Sequence, residues 1–179
     1  MNNYFSIQFT NNASFQFLSE GQVTNKFDNV TVFFEDCHGK QRVFDDVIQE
    51  AIITLYNSLK NQVELYSDME VGNLGEAWNI WTNNLAETAE DDEEDIFSNY
   101  WMWSTREFQT WIYRKNEKLY IEVSPSYRWH YVEPTEEEKI TPFSEFLEHY
   151  SANVLELSSE QIKDIIKSLE VMKTELNIT

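Results

Sequence analysis

Apolar and polar positions alternate along the first third of the chain. Phe5, Ile7 and Phe9 flank Ser6 and Gln8, Phe15 and Phe17 flank Gln16, and Val30, Val32 and Phe34 share one side of "NVTVFFED". A period of two marks strands with one buried face, and "NN" at 11 and 12 and "EDCHGK" at 35 to 40 supply turn residues. These signals predict a β-meander.

The period then lengthens. In "FDDVIQEAIITLYNSLKNQVELY" the apolar residues fall at 44, 48, 51, 52, 55, 59 and 63, a helical stripe with Asp45 and Asp46 at its positive N-terminal end. After "GNLG", Leu74, Trp78, Trp81 and Leu85 predict a shorter helix that runs into "AEDDEED". Those acids oppose both the helix macrodipole and one another, so the expectation there is a frayed loop.

From 96 to 132 the pattern returns to strands, with "RKNEK" at 114 to 118 as a hairpin connection and Leu119, Ile121 and Val123 on one face. Pro125 predicts a break or an edge, after which Tyr127, Trp129 and Tyr131 alternate with Arg128 and His130. Near the C-terminus Thr141 and Pro142 predict a helix start, with Phe143, Phe146, Leu147, Tyr150 and Val154 as its stripe. Ser158 and Gln161 form a capping-box pattern ahead of Ile162, Ile165, Ile166, Leu169, Met172 and Leu176, which predicts a second helix antiparallel to the first. The expected fold class is α+β, one domain over 1–179, with an antiparallel β-sheet packed on one face by about four helices.

Composition sharpens this picture. With 41% hydrophobic and 15% aromatic residues the chain can build a core. Thirteen Lys and Arg against 32 Asp and Glu leave a net charge of -19, which disfavours direct binding of nucleic acid and attracts cationic partners. Cys37 stands alone, which excludes an intrachain disulfide and a cysteine zinc cluster. The start lacks the pattern of a secretory signal and no 18-residue apolar run occurs, so the expectation is a cytoplasmic protein without a membrane segment.

The charge is uneven. Between Lys60 and Arg106 there are eleven acids and no base, and six of those acids are contiguous at 90 to 95. Such a segment reads as a solvated surface, as a docking surface for a basic partner, or as a metal site, and the spacing lacks the alternation of an EF-hand loop. His38, His130 and His149 belong to no metal-binding pattern, Cys37 and His38 are neighbours in a turn, and four glycines leave no phosphate-cradling motif. No catalytic, cofactor or metal residue is therefore assigned. The candidate partner-binding residues are Glu87, Glu90, Asp91, Asp92, Glu93, Glu94 and Asp95, with Trp101, Trp103, Trp111, Tyr127 and Trp129 as aromatic anchors. So many rings near one sheet can all be buried only if both of its faces are covered.

In general character, namely "AEDDEED", the charge of -19, the segment "YWMWSTREFQTWIYRKNEKLYIEVSPSYRWHY" and the lack of catalytic motifs, the chain resembles the small acidic immunity proteins of bacterial toxin systems, including those of contact-dependent growth inhibition. That resemblance implies a non-enzymatic inhibitor that binds a cognate toxin, often a nuclease with a basic active-site face. Folds in this class are diverse and no functional residue is carried over. Strand addition at an exposed sheet edge is a further mode of partner binding. The competing reading is a small carboxylate-rich hydrolase, metal-assisted or not, which requires acids that converge and raise one another's pKa. A mimic of nucleic acid would require regularly spaced acids instead.

Overall fold

Strands β1 (Asn2–Thr10), β2 (Ala13–Ser19), β3 (Asn29–Asp36) and β4 (Gly39–Val47) pair in chain order as an antiparallel meander. The computed structural model describes residues 1–10, 12–88, 95–130, 133–135 and 137–179. The alternation read from the sequence holds: Ile7, Phe9, Phe15, Phe17, Val30, Val32 and Phe34 are all buried.

The fourth strand corrects one expectation. Asp45 and Asp46 do not open a helix; they pair with Thr31 and Val30 in β4, and α1 spans Ile48–Asn61. Val43 is fully buried on the sheet, so the strand continues to the point where Ile48 and Ala51 begin the helical stripe. The helix stops at Gln62, whose left-handed φ of 44° turns the chain away.

Helix α2 (Leu74–Thr88) matches the reading from Leu74 onward. The predicted strand from 96 starts later: Phe97–Asn99 form a single 3-10 turn, and a second antiparallel sheet follows, with β5 (Trp101–Ser104), β6 (Phe108–Lys115), β7 (Lys118–Pro125) and β8 (Asn153–Leu157) in chain order. Asn116 and Glu117 at the β6–β7 connection both take positive φ, 52° and 66°, the conformation of a two-residue hairpin turn.

Two further expectations fail for identifiable reasons. Over Tyr127 to His130 the alternation is not a strand: Pro125 ends β7 and Arg128–His130 coil into a 3-10 turn, and Tyr131 lies outside the described residues. The helix foreseen from Thr141 to Val154 is only six residues long, α3 (Phe143–Glu148), begins after Pro142, and gives way to β8. Val154 pairs with Glu122 and Leu155 with Ile121, so the ladder on β7 takes residues whose spacing mimics a helical stripe. Helix α4 (Ser159–Glu175) carries the expected capping box between Ser158 and Gln161.

The fold is therefore α+β, with two four-stranded antiparallel sheets rather than one, and four helices, among the described residues. Helices α1 and α4 pack with both sheets around a common apolar core that includes Phe15, Ile52, Leu59, Trp103, Ile121 and Leu169. A second, smaller cluster lies on the other face of the second sheet, where α2 packs against Trp111, Tyr113 and Tyr120. Covering both faces is what buries so many rings. Among the described residues no helix is long and apolar enough to cross a membrane.

Candidate functional site

The second cluster is organised around a buried carboxylate. Glu122 alternates with Ile121 and Val123 along β7, so it points from the sheet toward α2, and it is fully buried. Its Oε1 accepts the Gly75 amide at 2.8 Å and its Oε2 accepts the Tyr113 hydroxyl at 2.7 Å, while the Gly72 amide donates to that hydroxyl at 2.9 Å. The carboxylate thus meets the free amides at the start of α2, where the helix dipole favours negative charge. Burial is the dominant influence and pushes its pKa up; the Tyr113 hydroxyl and the helix amides pull the other way.

Close packing supports this contact. A Cβ on Gly75 would stand 2.0 Å from Ser124 Oγ and 2.6 Å from the Tyr150 hydroxyl, so only glycine lets α2 approach β7 this closely. Trp111 Nε1 donates to Ser124 Oγ at 2.9 Å. Asn79, also fully buried, donates to the carbonyls of Gly75 and Pro125, and its Oδ1 accepts the Tyr127 amide at 2.8 Å. Asn79 thereby fixes where the chain leaves β7 and where Tyr127 stands.

This arrangement holds open a cleft of about 550 Å³. Its lining comes from α2 with Trp78, Trp81 and Leu85, from the turn after the acidic run with Asp95 and Phe97, from the paired Trp101 of β5 and Trp111 of β6 with Arg106 and Gln109, and from Ser126, Tyr127 and Arg128 beyond β7. The rings touch in sequence: Trp81 to Phe97 at 5.4 Å, Phe97 to Trp111 at 6.4 Å and Trp78 to Trp111 at 5.9 Å between centroids. Trp101 is 51% exposed, an unusual state for so large a ring beside an aromatic floor. Volume and lining are those of a binding cleft.

The candidate residues separate accordingly. Asp95, Trp101, Trp111 and Tyr127 line this cleft, Trp111 as its buried floor. Asp95 also starts the 3-10 turn, its Oδ1 accepting the amides of Phe97 and Ser98 at 2.9 and 3.2 Å. Trp103 does not join them: it is 2% exposed on the opposite face, packed against Phe15, Phe17 and Phe44. Trp129 lies under the Arg128 guanidinium, 4.6 Å from its ring centroid. The side chain of Glu87 and residues Glu90, Asp91, Asp92, Glu93 and Glu94 lie outside the described residues.

Neither a family model, a curated protein nor a solved structure matches this chain. The site is therefore read from its own chemistry.

Trp78 and Trp81 are cleft residues that the sequence reading placed only in a helical stripe, whereas Arg106 and Arg128, close in sequence to the aromatic anchors, do line the cleft. The helical spacing of the two tryptophans is equally that of a core stripe, and only the half-exposed ring of Trp101 distinguishes the cleft from core. Glu122 left a faint signal, an acid inside the otherwise apolar strand "LYIEV". Its surroundings are two tyrosines and backbone amides rather than other acids, and no surface opens onto it, so it serves to hold α2. Among the described residues no three His, Cys, Asp or Glu side chains gather as a metal-holding group. His130, packed against Tyr127 and Trp78, has its pKa lowered to about 4 by burial and is neutral at pH 7.

The sheet edges differ in accessibility. β4 carries Lys40, Arg42, Asp45 and Asp46, and the Thr105 hydroxyl donates to the Arg42 carbonyl at 3.2 Å. β1 carries no charge, but bulges interrupt its ladder on both sides of Phe5–Gln8 and the Gln161 side chain takes the Phe9 carbonyl. Bulges of this kind blunt an edge against strand addition.

Proposed function

We propose that this chain is a non-catalytic acidic inhibitor, an immunity protein that binds and neutralises a basic toxin domain, in the reading offered here a nuclease. One observation carries the proposal: the cleft takes Trp78, Trp81, Asp95 and the exposed Trp101 from the stretch 61–105, the stretch with eleven acids and no base. Anchoring rings and negative charge thus come from the same part of the chain. Charge would steer a cationic face to this surface, and a ring cluster sheltered from water would slow its release. A nuclease fits because its substrate face must be positive to hold a polyphosphate, and an acidic protein docked there excludes the substrate. In this reading the protein acts in the cytoplasm, needs no cofactor and touches neither nucleic acid nor membrane.

The test starts from the neighbouring genes, one of which is expected to encode a basic toxin domain that co-purifies with this chain. Purified complex should lose affinity steeply as salt rises, and replacing all six acids at 90–95 by their amides should weaken binding at least tenfold and flatten the salt dependence, as expected where opposite charges face each other. Unchanged affinity and slope after neutralisation would sink the acidic-docking reading. A hydrolytic activity of the isolated chain, abolished by one carboxylate substitution, would replace it with the enzyme reading.

A further inference from the structure

Four of the six tryptophans, Trp78, Trp81, Trp101 and Trp111, line one cleft. Indole faces attract cations, and the flat, weakly hydrated guanidinium suits them best. Of the arginines already present, Arg42 and Arg114 hold Asp45 and Glu64 at 3.1 Å each; Arg128, which also lines the cleft, is neutralised by Glu138 at 2.8 Å and rests on Trp129 rather than on one of these four rings. Arg106, exposed at the rim, makes no ion pair among the described residues. Asp95 at the same cleft is exposed and, among the described residues, its Oδ1 accepts the amides of Phe97 and Ser98. Around the site a net charge of -19 concentrates cations and depletes anions.

We propose that this cleft receives an arginine side chain of the partner, its guanidinium stacked on an indole face and its charge answered by Asp95. The inference rests on the reading of a basic protein partner and specifies which group of that partner enters. Arg106 supplies the decisive sign. For a guanidinium occupant it is a repulsive neighbour that lowers affinity; for a carboxylate or phosphate it would be the anchor.

Nα-acetyl-arginine amide is therefore titrated against the chain with tryptophan fluorescence as readout, beside the glutamine and glutamate analogues. Saturable quenching by the arginine compound alone is expected. Trp101→Ala should weaken it about fivefold, in line with a cation resting on an indole. Asp95→Asn, which keeps the acceptor for the turn and removes the charge, should weaken it about threefold, and Arg106→Ala should tighten it about threefold. No saturable signal up to roughly 100 mM, an affinity too weak to anchor a partner, overturns the inference, as does binding of the glutamate compound that Arg106→Ala abolishes. Circular dichroism identifies any variant that fails to fold, and Arg106, exposed at the rim, then still gives the sign. If the probe binds but no basic partner is found, the cleft's preference for a guanidinium stands and the proposed function falls; if a basic partner binds with Trp101→Ala and Asp95→Asn unchanged, the inference falls and the proposed function stands.

Discussion

The two faces of the second sheet obey different rules. Toward α1 and α4 it presents Ile112, Leu119, Ile121 and Val123, side chains that need only to fit. Toward α2 it presents Gln109, Trp111, Tyr113, Glu122 and Ser124, whose polar atoms must each be answered. The first face tolerates exchange of one apolar shape for another, because burial of area is not directional. The second sets a unique position for α2, since hydrogen bonds with fixed partners stop being favourable when the helix slides. The cleft lies on the second face, where position matters most.

The strongest test compares neighbours in one strand. Ile121→Ala and Glu122→Ala should each cost about 3 kcal/mol in urea unfolding, the former by opening a cavity and the latter by leaving two buried donors without an acceptor. The mechanisms separate in double variants. Adding Tyr113→Phe should recover part of the loss in a Glu122→Leu background and nothing in Ile121→Ala, because only the first leaves the phenol stranded. Equal effects in both backgrounds would show that the two faces do not differ.

A smaller effect is expected at the contact that lets α2 approach. Gly75→Ala should cost about 2 kcal/mol by overpacking against Ser124 and Tyr150. Ser124→Gly in the same chain should relieve some of it, and a neutral Gly75→Ala would mean that the helix sits farther from β7.

The smallest effect is a slope. Burial raises the Glu122 pKa above the ordinary 4.5, so the folded state binds this proton more tightly than the unfolded chain does. Its contribution to stability is therefore present below 4.5 and drains away as pH rises through the raised value, opposite to a salt-bridged acid. Glu122→Gln mimics the neutral carboxyl. From about pH 4 to about pH 8 the melting temperature of the unaltered chain should fall relative to that of the variant. A constant difference would deny the proton linkage.

These contrasts also account for what the sequence reveals. Period-two alternation names β1 to β3 because each strand turns one apolar face to the core, and the capping box names the start of α4 because Ser158 and Gln161 are local partners. Asp45 and Asp46 suit a helix start as well as an exposed face of an edge strand, and only pairing with β3 decides. Val154 stands four residues after Tyr150 and extends a helical stripe until β7 claims it. For the cleft, Asp95, Trp101, Trp111 and Tyr127 are legible as charge and exposed-type aromatics, and the structure brings them together. Glu122, Asn79 and Gly75 are not, because their hydrogen-bond partners lie between 4 and 48 residues away along the chain.

The last strand of the second sheet also governs the order in which the chain can be assembled. The first sheet closes within residues 2 to 47 through successive hairpins, so it can form while synthesis continues. On its outer edge β7 has no neighbour until Asn153–Leu157 emerge, and until then an unfinished chain presents Leu119, Ile121 and Val123 beside open backbone groups. A chain ending before Asn153 would display a sticky half-sheet and recruit chaperones; once Asn153–Leu157 pair with β7, that edge is closed by the chain itself.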